Sequence, residues 1–145
     1  MSIEMGEYST HFGIYGVSFK EEKLLCIQKA TGPYQNRFDL PGGSQKPFES
    51  LVDTLKREVR EETSYFVVNY ENVRCYDTFV QQSGNQNLVH HVFVLYDIEV
   101  KEQEHRFEVV EENDSLGSLW IELDSLTIAN SSPVILKLIE EFKSK

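Results

Sequence analysis

Apolar residues in the first third of the chain are grouped in short runs of the kind that strands bury. Residues 11–19 and 24–28 are rich in aromatic, aliphatic and β-branched side chains, and the polar residues 20–23 separate them. This arrangement predicts two strands joined as a hairpin. Residues 37–40 form a third short run, which the Pro-Gly-Gly sequence at 41–43 ends in a turn.

After this turn, apolar residues recur every three or four positions. Such a period is typical of an amphipathic helix whose apolar stripe lies on a core. The predicted stripe consists of Phe48, Leu51, Val52, Leu55 and Val59. Pro47 and Glu49 suit the start of this helix, because a missing N–H costs little there and a carboxylate meets the positive end of the helix dipole.

The second half of the chain contains further strands and a closing helix. Residues 65–68 and 75–82 are predicted as two separate strands, rich in β-branched and aromatic side chains. Residues 88–100 are predicted as a long central strand, since their apolar centre indicates cover on both faces. Near the end, Ser132 suits the cap of a helix that begins at Pro133. The order of elements predicts an α/β domain of two or three layers.

Length, charge and cysteine content narrow the class of protein. The 145 residues are expected to form a single domain, 1–145, and the net charge of −10 argues against nucleic acid or an anionic membrane as partner. No apolar run approaches the ~20 residues of a membrane helix, and the acidic N-terminus lacks the apolar core of a signal peptide. Cys26 and Cys75 lie in strand-like runs and are interpreted as reduced, buried thiols. A cytoplasmic location is therefore expected.

Two adjacent histidines lie in the predicted central strand. Alternation along a strand directs one of His90 and His91 inward and the other outward. A role in a substrate pocket is conceivable, but a strand histidine with satisfied hydrogen bonds is favoured. No ligand spacing links the pair to His11 or His105.

Three carboxylates share one face of the first helix. Glu58, Glu61 and Glu62 stand at positions i, i+3 and i+4, within an arc of roughly 100° beside the apolar stripe. Like charges so close together repel, and clustered carboxylate oxygens suit Mg²⁺ or Mn²⁺, which can hold phosphate oxygens at the same time. The expected substrate is therefore a phosphate compound.

The spacing around this helix resembles a known family signature. Gly43, then Glu49, then the run Arg57-Glu58-Val59-Arg60-Glu61-Glu62 matches the Nudix box, and residues 38–43 are similar to the strand and turn that precede it. An acidic, solvated helix is the simpler alternative, but this spacing would arise by chance on the order of once in a hundred thousand sequences. The chain departs from the family at Ser64, where glycine is usual, and at Tyr65, where an aliphatic residue is usual.

The resemblance implies an α/β/α sandwich with a mixed central sheet and a hydrolase of nucleoside diphosphates linked to another group. It also implies that the Gly42 carbonyl binds a metal. In the expected mechanism water displaces a phosphate group at phosphorus, and Glu58 and Glu62 are the main ligands of Mg²⁺ or Mn²⁺. Glu61 is expected as a further ligand or to position the attacking water.

Two other residues of the signature are expected to support this site. The planar guanidinium of Arg57 is suited to hold Glu58 or Glu61 in the right rotamer, although a surface pair with Glu61 is the simpler alternative. Glu49 is expected to orient the loop or a metal-bound water.

The family often adds a carboxylate from a loop that precedes a strand bearing tryptophan. Here an acidic loop precedes Trp120, and Glu112 is the first candidate. Glu111 and Asp114 are the next candidates.

The substrate is less well defined by sequence. A proline or tyrosine at 79–82 would resemble subfamilies for ADP-ribose or dinucleoside polyphosphates, and neither residue is present. A nucleoside triphosphate or modified nucleotide is therefore favoured, with Tyr34 and Phe38 as candidates to stack on the base, although a core role is the more common use of such aromatics. An ADP-ribose, nucleotide-sugar or dinucleoside polyphosphate pyrophosphatase stays open, as do a nucleotide sensor without turnover and a homodimer.

Overall fold

The computed structural model describes residues 6–30, 35–81, 86–102 and 115–143, and for residues 115–117 the backbone alone. The described chain forms eight strands, two α-helices and a short 3-10 helix at Leu123–Ser125. The strands are β1 (Tyr8–Val17), β2 (Phe19–Lys20), β3 (Lys23–Lys29), β4 (Phe38–Asp39), β5 (Gly42–Gly43), β6 (Tyr65–Gln81), β7 (Leu88–Glu102) and β8 (Ser115–Glu122). The helices are α1 (Leu51–Thr63) and α2 (Pro133–Lys143).

The larger sheet is mixed and has β7 in its interior. Its strand order is β5-β1-β7-β6, in which β1 runs parallel to β7 and the other pairs are antiparallel. The buried centre of β7, from Phe93 to Tyr96, explains the continuous apolar run in the sequence. The prediction of a central strand at 88–100 is confirmed.

A second sheet contains β2, β3, β4 and β8, and β3 pairs antiparallel with each of the other three strands. The predicted hairpin between 11–19 and 24–28 is wrong for most of its length, because β1 ends at Val17 and pairs with β7. Only the short strand β2 forms a hairpin with β3, through Phe19 opposite Leu24. Alternating apolar residues indicate that a strand exists, but they do not identify its partner.

Strand β6 is one strand where two were predicted. It pairs with β7 from Tyr65 to Gln81, with irregularities between Val67 and Asn69 and between Glu71 and Arg74. The intervening residues are polar because β6 lies at the edge of its sheet, where extra residues and exposed side chains are tolerated. Cys75 is exposed on this strand and Cys26 is buried, so the prediction of two buried thiols is wrong for Cys75.

The two helices pack on opposite faces of the mixed sheet. Leu55 and Val59 of α1 are fully buried against Ile14, Val94, Tyr96 and Ile98. On the other face α2 buries its apolar side chains in the core between the two sheets, with Tyr15, Val17, Phe93 and Leu95 of the mixed sheet. Each fully buried aliphatic side chain stabilises the fold by about 1.5–3 kcal/mol. The predicted α/β/α arrangement with a mixed sheet is confirmed. Neither described helix is long and apolar enough to span a bilayer.

Helix α1 begins later than its apolar period suggested. Ser50 is its cap: the Ser50 hydroxyl accepts the Asp53 amide at 3.0 Å, and the Asp53 carboxylate accepts the Ser50 amide at 3.4 Å. Phe48 lies before the helix with a positive φ of 68° and is fully exposed, so its place in the apolar stripe was predicted wrongly. In α2, by contrast, the Ser132 hydroxyl accepts the Ile135 amide at 3.3 Å, which confirms that cap.

Helix α1 ends at Ser64 in a left-handed conformation, with a φ of 67° and its amide bonded to the Arg60 carbonyl. A residue with a Cβ adopts this conformation at a cost of ~1 kcal/mol, and glycine avoids that cost. We expect Ser64→Gly to raise the free energy of unfolding by up to ~1 kcal/mol, as measured by urea denaturation. Ser64→Ala, which keeps the Cβ, is the control and should give no gain. A loss of ~0.5 kcal/mol or more in Ser64→Gly would contradict this account.

Candidate active site

The turn at Gly42 and Gly43 brings backbone and carboxylates together. Strand β5 pairs with β1, with Gly43 opposite Ile14 and Gly42 opposite Tyr15. A Cβ at Gly42 would lie 2.1 Å from the Ile14 carbonyl oxygen, and its φ of 152° also favours glycine. A Cβ at Gly43 would lie 2.8 Å from the carboxyl group of Glu58. Glycine is therefore required at Gly42 by the backbone, whereas a Cβ at Gly43 would displace the Glu58 carboxyl group.

Glu62 is a carboxylate buried at this turn. It is 5% exposed, and its Oε1 accepts the backbone N–H of Gly42 at 2.8 Å. Burial raises the pKa of Glu62 well above its usual range, although the bond from Gly42 partly opposes that shift. The surroundings of Glu62 thus disfavour its ionised form, and the Gly42 amide compensates for only part of this effect.

Glu58 lies one helical turn before Glu62 and faces the same turn. Burial raises the pKa of the Glu58 carboxyl, while the hydrogen bond from Arg57 lowers it. The charge of Glu58 also raises the pKa of Glu62, and the charge of Glu61 raises the pKa of Glu58, because like charges disfavour ionisation. A cation placed between them would relieve both effects.

Arg57 is the centre of an ion-pair network. Its Nη1 donates to Glu58 Oε1 at 2.7 Å and to Glu61 Oε2 at 3.3 Å. Its Nε and Nη2 donate to the two oxygens of Glu49 at 2.6 and 2.9 Å, and Nη2 also donates to the Ser44 carbonyl at 3.0 Å. One guanidinium therefore ties the loop before α1 to two carboxylates on the helix.

Glu49 is held by this network and by its own loop. Its Oε1 accepts the Lys46 amide at 2.7 Å and the Thr54 hydroxyl at 3.0 Å, in addition to the bonds from Arg57. The hydrogen bond from Arg57, followed by that from Lys46, lowers the pKa of Glu49 to about 2. Glu49 is therefore ionised at neutral pH and fixes the loop through residues 44–50.

The donor set suits a hard divalent cation. Carboxylate and carbonyl oxygens are the ligands that Mg²⁺ and Mn²⁺ prefer, and Glu58, Glu62 and Gly42 supply them at one turn. Within residues 6–102 and 115–143, apart from the gaps named above, no three acidic, histidine or cysteine side chains are arranged to enclose an ion as they stand. Arg57 donates to one oxygen of Glu58, and the Gly42 amide donates to one oxygen of Glu62.

The structure brings together six of the residues singled out from sequence: Gly42, Glu49, Arg57, Glu58, Glu61 and Glu62. Phe38 lies elsewhere, partly buried against the core on the α2 side of the mixed sheet. Tyr34 and the loop carboxylates Glu111, Glu112 and Asp114 lie outside the described residues.

Sequence reasoning missed a contact between two histidines. His91 is buried and His90 is partly exposed and bonded to Asp77, which confirms that one points inward and the other outward. The prediction concerned metal-ligand spacing alone and did not anticipate that the parallel register places His11 beside His91, with ring centroids 4.7 Å apart. Only the pairing of β1 with β7 reveals this contact, and no spacing in the sequence encodes it.

The low pKa of Glu49 predicts a dependence of stability on pH. A carboxylate whose pKa falls on folding stabilises the protein above the unfolded value of 4.5, and that contribution is lost as the pH falls towards about 2. We expect the wild type to be more stable than Glu49→Gln at neutral pH and the difference to shrink across that window in urea denaturation. A difference that stays constant over the same window would contradict the assignment.

Glu62→Gln is the matched comparison, since the effect of pH on the stability that Glu62 contributes has the opposite sign. Because burial raises the pKa of Glu62, its protonated form favours folding, and this contribution is complete below 4.5 and lost as the pH rises through the folded pKa. In metal-free protein the wild type should therefore gain stability relative to Glu62→Gln as the pH falls.

Two curated proteins share part of this sequence. The probable DHNTP pyrophosphohydrolase of Lactococcus lactis subsp. cremoris (strain MG1363) is 35% identical over 89 residues, which are 59% of this chain and 52% of that protein. The ADP-ribose pyrophosphatase of Methanocaldococcus jannaschii is 35% identical over 48 residues, or 33% of this chain and 28% of that protein. The chain thus matches about half or less of the length of these relatives.

Solved structures show the same fold. The MutT NUDIX hydrolase from Burkholderia pseudomallei superposes with a TM-score of 0.66 at 21% identity, covering 88% of this chain and 96% of that one. The NUDIX domain family model matches residues 8–142, nearly the whole chain. On the strength of that match, and of the glycine turn and carboxylate helix described above, this chain belongs to the NUDIX family.

Proposed function

We propose that this protein is a pyrophosphohydrolase that uses a divalent cation to cleave a phosphoanhydride bond in a nucleoside triphosphate or a related modified nucleotide. The observation that carries the proposal is the pair Glu58 and Glu62, two partly or fully buried carboxyls at one glycine turn, each with a raised pKa. Such a pair is costly unless a cation joins it. We further propose that residues 1–145 form a single catalytic domain, of which the family model matches residues 8–142.

Each side chain then has a distinct role. Glu58, Glu62 and the Gly42 carbonyl would hold Mg²⁺ or Mn²⁺, which when bound supplies positive charge to phosphate oxygens and lowers the pKa of water. Glu61, with its side chain 33% exposed, would complete the ligand set or orient the attacking water. Arg57 positions Glu58 and Glu61, and Glu49 positions Arg57.

The net charge of the chain is consistent with a bound cation as the group that attracts the phosphates. At −10 the protein repels a polyphosphate in solution, so binding must depend on local positive charge. Arg57 is already hydrogen-bonded to three carboxylates, and its hydrogen bond to Glu49 raises the pKa of the guanidinium. Positive charge for the substrate would therefore come mainly from the bound cation.

The relatives support a triphosphate substrate more than a diphosphate one. The longer match is to a protein named for DHNTP, a triphosphate of a heterocycle, and the shorter match is to one named for ADP-ribose. The absence of proline and tyrosine from residues 79–82 points the same way. ADP-ribose hydrolysis is the second candidate.

A nucleotide-binding module without turnover is the alternative from another class. Loss of a box carboxylate would favour it, because the cation could then no longer be held at the reacting phosphate. Glu49, Glu58, Glu61 and Glu62 are all present, together with Arg57. The enzyme is therefore the better supported function.

Hydrolysis should require Mg²⁺ or Mn²⁺ and should depend on both buried carboxylates. We expect Glu58→Gln and Glu62→Gln each to lower kcat by more than ~10²-fold, because each loses a ligand that places charge at the transition state. Without metal the Tm of both variants should hold or rise, since a repelling charge is removed. Exposed Glu99→Gln is the control and should leave kcat unchanged. Activity above about half of the wild-type value in both variants would refute the assignment.

A substrate panel tests the proposed class. The panel comprises nucleoside triphosphates, dihydroneopterin triphosphate, ADP-ribose and a dinucleoside tetraphosphate, each assayed for released phosphate or pyrophosphate with Mg²⁺ and with Mn²⁺. We expect a triphosphate to give the highest kcat/KM. If ADP-ribose or the dinucleoside tetraphosphate exceeded every triphosphate by about tenfold, which corresponds to ~1.4 kcal/mol in the barrier, the order of candidates would reverse.

A further inference from the structure

A row of polar aromatic side chains lies on the face of the mixed sheet opposite α1. His11 and Tyr15 project from β1 on this face, and His91 projects from β7 opposite His11 and contacts both rings. The Tyr15 hydroxyl and His91 Nε2 are hydrogen-bonded at 3.2 Å, and the His11 and His91 rings are 4.7 Å apart. His91 is 1% exposed, whereas His11 is exposed at the open end of the row. The proposed hydrolysis gives none of the three a role.

Gly13 leaves the space in which the Tyr15 ring reaches His91. It occupies the position between His11 and Tyr15 on the same face, because side chains of a strand alternate. A Cβ there would lie 2.6 Å from the Tyr15 ring. The missing side chain lets the Tyr15 ring lie back along the strand, so its hydroxyl reaches His91.

The inner end of the row touches the proposed metal turn. Tyr15 is paired with Gly42, and the Gly42 amide is the group that holds Glu62. From Tyr15 to His11 the strand advances four residues, or about 13 Å. That span is comparable to the distance between the phosphates and the base of an extended nucleotide. Gly13, Ile14 and Tyr15 are buried between these two ends, so His11 is the member of the row that a bound base can contact.

The chemistry of the row suits an uncharged heterocycle better than a phosphate. Burial lowers the pKa of His91 to about 4 and also lowers the pKa of His11, with Lys29 adding to both shifts. Both imidazoles are therefore neutral at neutral pH and offer no charge to an anion. A flat, neutral, partly exposed ring is a stacking surface for a planar base.

We propose that His11, supported from behind by His91 and Tyr15, stacks on the heterocyclic base of a nucleotide whose phosphates lie at the Gly42 turn. The proposal rests on the proposed function for the placement of the phosphates. It assigns recognition of the base to residues that the sequence signature does not contain.

Equilibrium binding of nucleoside monophosphates with Mg²⁺ present tests the proposal independently of turnover, because these nucleotides contain no phosphoanhydride bond to cleave. Isothermal titration calorimetry would compare AMP, GMP and CMP with ribose 5-phosphate, which lacks a base, on wild type, His11→Ala and His11→Phe. We expect His11→Ala to weaken binding of the best nucleotide by roughly 5- to 100-fold and to leave ribose 5-phosphate unchanged. His11→Phe, which keeps an aromatic face, should restore most of the affinity.

His90→Ala is the matched control. His90 is adjacent to His91 in sequence but lies on the opposite face of the sheet, stacked on Phe79 at 4.5 Å. It should leave nucleotide affinity unchanged. Equal affinities of wild type and His11→Ala, an equal loss in His90→Ala, or wild-type protein that binds no nucleotide better than ribose 5-phosphate would each overturn the proposal.

The same variants separate this proposal from the proposed function. If wild type hydrolyses triphosphates while His11→Ala keeps the wild-type KM, the proposed base site is refuted and the proposed hydrolase activity is supported. If no triphosphate is hydrolysed but His11→Ala loses base-dependent binding, the proposed base site is supported and the proposed hydrolase activity is refuted. If both are right, His11→Ala should raise KM for the best triphosphate by a similar factor, with kcat little changed.

Discussion

The hydrogen bond from the Gly42 amide to the buried carboxylate of Glu62 is the contact on which the site depends. It joins the last turn of α1 to β5, and β5 is paired with β1, so the carboxylates are fixed to the mixed sheet. Burial of an ionised carboxylate costs several kcal/mol, and one amide donor offsets only part of that cost. The fold therefore disfavours the ionised form of Glu62, and a bound cation would stabilise that form.

Arg57 controls how that charge is presented. It binds Glu49 through two nitrogens and reaches Glu58 and Glu61 with a third, so the loop and the helix face move as one unit. A lysine could not reproduce this, because its ammonium is a single point of charge without a planar fork. The packing of Leu55 and Val59 beneath the same helix holds the backbone against which Arg57 acts.

How much of this could be predicted from sequence depends on the range of the interaction. Glu58, Glu61 and Glu62 were placed on one face because helical period is a local property, and the spacing to Gly43 identified the turn. The start of α1 was missed although Ser50 and Asp53 form a recognisable capping box, since the apolar Phe48 fitted the helical period equally well. The continuity of β6 was hidden by polar residues that its edge position tolerates. The contact of His11 with His91 depends on the parallel register of two strands far apart in sequence, which no local pattern encodes.

The central claim is that Glu58 and Glu62 together hold a divalent cation at the glycine turn. Titration of Mn²⁺ into nucleotide-free protein, followed by electron paramagnetic resonance of the free ion, measures this directly. The account predicts that wild type binds Mn²⁺ and that Glu62→Gln weakens binding by at least about tenfold, while Glu99→Gln does not. Equal Mn²⁺ affinity in wild type and Glu62→Gln would contradict it.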